Sequence, residues 1–252
     1  MGSLTKGHKS TGRMNKVDIL AIGAHPDDVE LSCAATLIKQ ISLGNRVGLC
    51  DLTKGELGTR GSAELRLKEA EAAREIIGAD FRVNLGMADG FFDLSEANKL
   101  EIVKVIRACQ PKILMCNALS DRHPDHARGA QLAKDAAFLA GLRRIETSYE
   151  GESQLPWRPQ LVMHYIQDHY LKPELIMDVT DFWSQKLKAV QAFSSQFYDP
   201  KSKEPASPIS SKEFMGVIEG RGLQFGRYIN ATYGEGFNIE RPFGVADITG
   251  LI

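Results

Sequence analysis

Short apolar runs alternate with longer amphipathic stretches along most of this chain, and that alternation limits the fold more than any other feature. The runs at 17–23, 46–52, 81–85, 112–116, 161–167 and 175–179 are rich in Val, Ile and Leu, as buried parallel strands tend to be. Between them, residues 28–43, 62–77, 95–109, 126–140 and 181–197 carry helical patterns. Their punctuation agrees: Gly44, Gly78 and Gly141 follow three of the ends, Pro111 lies just past another, and Ser62 and Thr180 stand at N-cap positions. Strand–helix alternation at this spacing predicts an α/β fold, a mostly parallel, Rossmann-like sheet with helices on both faces in a single domain. Residues 199–211 (DPKSKEPASPISS) read as a mobile surface loop or a lid, 213–229 as a further helix, and the tail from Gly234 onward as irregular.

The totals exclude several classes. A chain of 252 residues that is 43% hydrophobic and 25% charged has the make-up of an ordinary globular domain. A net charge of −1 without a basic block argues against nucleic acid or anionic membrane as partner. Cys33, Cys50, Cys109 and Cys116 form no CxxC pair and sit in apolar stretches, so they read as core thiols in a reducing compartment, and the cytoplasm is expected. No run approaches the ~18 apolar residues of a membrane span. Residues 1–13 are polar and basic without the apolar centre of a secretory signal. Residues 1–15 are therefore expected to be a disordered extension or expression remnant, and 16–252 the domain.

In an open α/β sheet, ligands bind beyond the carboxyl ends of the strands. His25-Pro26-Asp27-Asp28 follows the first run and His123-Pro124-Asp125-His126 the fourth, and together they hold three of the six histidines. His25 and Asp28, three apart where a strand turns into a helix, share a face. Imidazole and carboxylate both suit zinc, and Fe2+ accepts the same donors. Asp27 then points elsewhere, a free carboxylate beside a metal-activated water and so a natural general base. The plainer alternative is that these acids cap a helix. One further ligand from His123 or His126 gives three protein ligands and leaves a position open for water, the catalytic pattern; structural zinc is closed by four. Gly23 is the only glycine near the first turn, so the GxGxxG dinucleotide fingerprint is missing, as is a GxSxG nucleophile elbow.

The stretches Ala24-His25-Pro26-Asp27-Asp28-Val29-Glu30 and His123-Pro124-Asp125-His126 resemble the two motifs of the PIG-L/LmbE-like zinc-dependent N-deacetylases. Val29 displaces the acid that usually follows the two aspartates. This variant is similar to the branch acting on N-acetylglucosaminyl-malate in bacillithiol synthesis, as are Cys50-Asp51-Leu52-Thr53, Glu64-Leu65-Arg66, Ser195-Gln196-Phe197 and Gly234-Glu235-Gly236-Phe237. The resemblance runs from about Val17 to near the end. It implies His25, Asp28 and His126 as zinc ligands, Asp27 as general base, and His123 as the group that stabilises the oxyanion or protonates the leaving amine. It further implies Asp125 as the carboxylate orienting a histidine, and Arg66 and Arg122 as contacts to malate carboxylates, which suit a planar guanidinium. The implied substrate is a small acetylated amino-sugar conjugate, with an inositol glycoside or chito-oligosaccharide as alternatives to malate. A homo-oligomer, hexameric in the closest branch, is expected. A non-catalytic metal- or ligand-binding α/β module is the competing class, but it would not need Asp27.

Overall fold

The computed structural model describes residues 14–247 and residue 249. Strands β1 (Ile19–Gly23), β2 (Val47–Thr53), β3 (Phe81–Met87) and β4 (Ile113–Cys116) alternate with helices α1 (Asp28–Ser42), α2 (Ala63–Ile77), α3 (Glu96–Cys109) and α4 (Pro124–Ala140). A small hairpin, β5 (Ser148–Tyr149) and β6 (Glu152–Ser153), precedes β7 (Leu161–Tyr165) and β8 (Leu175–Asp178). Helices α5 (Trp183–Gln191) and α6 (Lys212–Tyr228) and strand β9 (Gly234–Ile239) complete the fold. The main sheet runs β3-β2-β1-β4-β7-β9-β8. Its first five strands pair in parallel, and β9 runs antiparallel to both β7 and β8. The predicted fold class is the one observed.

Alternation along the strands divides the core. Leu20, Ile22, Cys50, Leu52, Leu114 and Cys116 face α3 and α4 on one side. Ile19, Ala21, Val47, Leu49 and Met115 face α1 on the other, with Ala189 of α5. Burial of β1, β2 and β4 on both faces is why those runs read as continuous apolar blocks. All four cysteines are buried free thiols. Among the described residues, no helix is long and apolar enough to cross a membrane. Of the extension expected at 1–15, residues 1–13 lie outside the described residues, and Met14 already packs into the core.

Two sequence expectations are corrected here. The helix expected over 181–197 is shorter: one 3-10 turn (Thr180–Phe182) leads into Trp183–Gln191. Thr180 is not its cap; the Thr180 hydroxyl donates to Asp178 and accepts from the amides of Thr232 and Tyr233, joining that turn to the chain ahead of β9. Gly141 follows α4 as expected, in a right-handed conformation with φ −82°.

The tail expected to be irregular contains β9, an interior strand of the sheet. Two glycines and a glutamate disguise it, since glycine is poor in strands and a charge reads as solvent-facing. Close packing of α6 requires the glycines. A Cβ on Gly234 would lie 2.8 Å from the Gly226 nitrogen, and one on Gly236 2.8 Å from the Phe225 ring. Glu235 turns inward to accept from Lys186 Nζ (2.6 Å) and from the amides of Ala35 (3.2 Å) and Thr36 (2.7 Å) in α1. Both charged residues are 2% exposed. Glu235→Ala leaves a buried ammonium without its carboxylate and should cost ~3–5 kcal/mol, whereas Glu235→Leu with Lys186→Met should cost less. Urea unfolding of the single and double variants checks this.

Candidate active site

β1 lies between β2 and β4, so the chain leaves it in one direction and later returns on the other side. Such a switch point opens a crevice at the carboxyl ends of the strands. His25 follows β1, Asp89 follows β3, Asn117 directly follows β4 and Gln167 follows β7. His123 is the N-cap of α4, Pro124 opens the helix, and Asp125 and His126 lie in its first turn, as expected for proline at N1. Asp27 has φ +120°, an unfavourable conformation for a residue with a Cβ, costing about 1–3 kcal/mol. It lets two consecutive carboxylates meet different partners.

Asp28 is the hub. Its Oδ2 accepts from the His25 amide (3.0 Å) and Asn117 Nδ2 (2.9 Å), and its Oδ1 accepts from Gln167 Nε2 (3.0 Å). His126 Nε2 lies 3.1 Å from Oδ1, and His25 Nδ1 lies 3.6 Å from Oδ2. Each imidazole turns its other nitrogen to carboxylates behind it. His25 Nε2 is 3.2 Å from Asp125 and 3.0 Å from Asp89; His126 Nδ1 meets Asp121 in a short contact. Carboxylates only accept, so in the metal-free protein each imidazole is a donor outward and, when protonated on both nitrogens, toward Asp28 as well; a cation held between them would take the place of the inner protons. Asp125 is itself fixed by the Gly90 amide (2.7 Å) and Arg128 (2.7 Å).

Two imidazoles and a carboxylate, each backed by a hydrogen-bonding partner, make a donor set that fits a divalent cation of the zinc or iron type. His25, His123 and His126 also offer nitrogens within 4.8 Å of one another, and so do the donor atoms of His25, Asp89 and Asp125.

The electrostatics follow from burial and neighbours. Burial opposes charge on His25, but Asp125, Asp28 and Asp89 overcome it and hold the ring well above the usual histidine range. Against the same burial, Asp28 and Asp121 raise His126 to about 9. Despite its own burial Asp28 stays well below the usual carboxylate range, because His126 and His25 face it. Asp27 is different. Burial pushes it up to about 6, the neighbouring Asp28 adds to the rise, and Arg66 pulls it back. The Arg66 guanidinium lies 2.7 Å from Asp27 Oδ2 and also donates to the Pro26 and Gly55 carbonyls. Gly55 must lack a side chain, since a Cβ there would lie 2.0 Å from Arg66 Nη1. His123 is lowered by burial and by the charge on His25 and His126. Its Nδ1 accepts from the Asp125 amide (3.2 Å), so the neutral ring carries its proton on Nε2.

All the residues expected at the site converge. His25, Asp27, Asp28, Arg66, Arg122, His123 and His126 border one cleft of about 510 Å³, and Asp125 lies behind it, fully buried against His25. Arg66 does not stand free for a substrate carboxylate; its partners are Asp27 and two carbonyls. Arg122 is half-exposed at the rim, with Nε 3.0 Å from Asp168. The helix-capping alternative does not describe Asp27, whose side chain makes no cap bond. Ser207, Pro208 and Ile209 bring the 199–211 loop to the cleft, where the buried Arg60 bonds Ser202 (2.8 Å) and Pro205 (3.0 Å).

Sequence reasoning missed the roles of Asp89, Asn117, Asp121 and Gln167. Three of these stand within two residues of a strand's carboxyl end, a signal available once the strands were assigned. Arg221 of α6 was also missed. It donates to the carbonyls of Gln167 (2.9 Å) and Asp168 (2.9 Å), while Asp121 accepts from the His169 amide (2.7 Å). The 167–169 segment thereby braces both Asp28 and His126.

Residues 20–137 match the PIG-L family, described as GlcNAc-PI de-N-acetylase. Diacetylchitobiose deacetylase of Thermococcus kodakarensis is 30% identical over 71% of this chain and 70% of its own length. The 1D-myo-inositol 2-acetamido-2-deoxy-alpha-D-glucopyranoside deacetylase of Streptomyces scabiei is 25% identical over 81% of this chain and 85% of its own. The crystal structure of the conserved protein TT1542 from Thermus thermophilus superposes with a TM-score of 0.80, at 32% identity, over 92% of this chain and 98% of that one. The chain belongs to the PIG-L family. It is a hydrolase of the deacetylase class, which cleaves amide bonds.

Because Arg66 favours the ionised form of Asp27, removing that charge must raise the Asp27 pKa. Arg66→Met should move it above about 6, raising the protonated fraction near neutrality. Carboxyl-carbon NMR titration of the metal-free variant and its parent checks the direction.

Proposed function

We propose that the chain removes the acetyl group from an N-acetylglucosamine conjugate, with His25, Asp28 and His126 holding zinc or a similar cation. The observation that carries this reading is that both imidazoles turn one nitrogen to Asp28 and the other to a supporting carboxylate, beside a separate Asp27. A bound divalent cation supplies Lewis-acid chemistry, acidifying water toward a pKa of ~7 and favouring negative charge on the carbonyl oxygen.

The chain's own residues do the rest. Asp27 accepts the proton of the attacking water, and a pKa of about 6 keeps it ionised yet basic enough near neutrality. Arg66 holds that carboxylate in place. The Nε2–H of neutral His123 donates to the carbonyl oxygen as it gains charge. Asp27 then returns its proton to the departing nitrogen, so acetate and a free amine leave without a covalent intermediate.

For the conjugate, N-acetylglucosaminyl-malate is supported by the sequence variant around Val29 and by Arg122 at the rim. With Arg66 held by Asp27, Arg122 is the better-placed of the two expected arginines to meet a malate carboxylate. Chitobiose and inositol conjugates, named for two relatives, are the alternatives. Amine release from all three, with and without chelator, tests the reading; no chelator-sensitive release from any of them overturns it.

Two variants test the roles. Asp27→Asn should retain the metal and lose about 10²–10⁴ in kcat, the range general-base catalysis contributes. His126→Ala should lose bound metal, read by atomic emission after dialysis; unchanged metal content removes His126 from the ligand set.

A further inference from the structure

We propose that Phe91, with Leu57 beside it, is the platform on which the pyranose ring of the acetylated sugar lies. This rests on the N-acetylglucosamine reading and deepens it by naming the surface that recognises the sugar. Phe91 is 79% exposed and Leu57 62%, and both border the cleft. Two large apolar side chains thus stand in water at the mouth of a cleft whose floor is charged.

The backbone beneath them is fixed. The Asp89 amide donates to Glu56 (2.9 Å), and Asp89 Oδ2 accepts from the Leu57 amide (2.9 Å). Gly90 donates to Asp125 (2.7 Å) and accepts from Arg128 (3.1 Å). Phe92 is buried beneath the Arg128 guanidinium, 5.4 Å away. Leu57 packs on Gly90, its Cδ1 3.4 Å from where a Cβ would stand. Phe91 is therefore presented outward by pinned neighbours. Asp89 also contacts His25 (3.0 Å), so the platform and the imidazole form one unit.

Substrate chemistry supplies the occupant. In an N-acetylated aminosugar the amide nitrogen is bonded directly to a ring carbon. A sugar whose acetamide reaches His25 places its ring about one ring's width away, and Phe91 stands two residues from the Asp89 that contacts that histidine. One face of a pyranose is lined with C–H bonds, which pack on an aromatic ring while the hydroxyls stay in water.

The test compares the parent with Phe91→Ala and Phe91→Trp, using N-acetylglucosaminyl-malate and diacetylchitobiose as substrates. Phe91→Ala should raise KM about tenfold for both, as loss of ~1.4 kcal/mol of stacking implies. Its kcat should stay within about twofold, its metal content and elution volume should be unchanged, and Phe91→Trp should restore KM. An unchanged KM overturns the platform. So does a rise confined to the disaccharide, which moves the contact to the aglycone, or a rise accompanied by altered subunit assembly. Failure of the parent to deacetylate either of these or the inositol glycoside instead overturns the N-acetylglucosamine reading, and the platform with it.

Discussion

The site depends on one buried carboxylate. Asp28 is 3% exposed, and a charge so placed costs several kcal/mol unless its lone pairs are met. Here they are met from separate parts of the fold. The His25 amide comes from the end of β1, Asn117 from the end of β4, Gln167 from beyond β7 and His126 from the first turn of α4. Those partners are adjacent only because β1, β4 and β7 lie in successive positions in the sheet. Sheet order and site geometry are thus a single constraint. Asn117 shows the coupling most directly, since its Oδ1 accepts from the Ala24 amide (2.9 Å) while its Nδ2 donates to Asp28.

Two neighbouring aspartates receive opposite electrostatics from this arrangement. Asp28 faces two imidazoles and stays ionised, whereas Asp27 faces one arginine and is raised to about 6 by burial. Environments that push paired carboxylates apart divide structural from proton-transfer work. The positive φ of Asp27 makes the division geometric as well. A relaxed helical turn would place its carboxylate elsewhere, so the strain is offset by the Arg66 contacts that fix it.

Much of this was legible in the chain because it rests on local pattern. The apolar blocks at β1, β2, β3, β4, β7 and β8 marked strands, and Ser62 and Gly78 marked the ends of α2. The two His/Asp clusters marked the crevice. What was hidden rests on contacts distant in sequence. β9 is written in glycines that α6 requires and a glutamate that Lys186 neutralises, so local propensity pointed away from a strand. Arg66 was expected as a substrate contact from the family resemblance, and nothing in a helix pattern shows that its guanidinium ends on Asp27. Glu30, the displaced acid of the first motif, is fully buried against Arg82, which also bonds Asp51. It stabilises the sheet edge behind the site and does not border the cleft.

The commitment of Arg66 also bears on how relatives of this kind can differ in substrate. Much of the floor of the cleft is committed within itself: His25 and His126 have their carboxylates, Asp27 has its arginine, and Arg60 is spent on carbonyls and a hydroxyl of the loops beside it. Such a floor answers first to the acetamide, which is common to every N-acetylated sugar. Discrimination must then come from the rim, where Arg122 is half-exposed beside Asp168 and where Leu57 and Phe91 face water. Rim residues lie on loops, which change without disturbing the sheet. A conserved chemistry with a variable conjugate is therefore what this separation of buried floor from exposed rim allows.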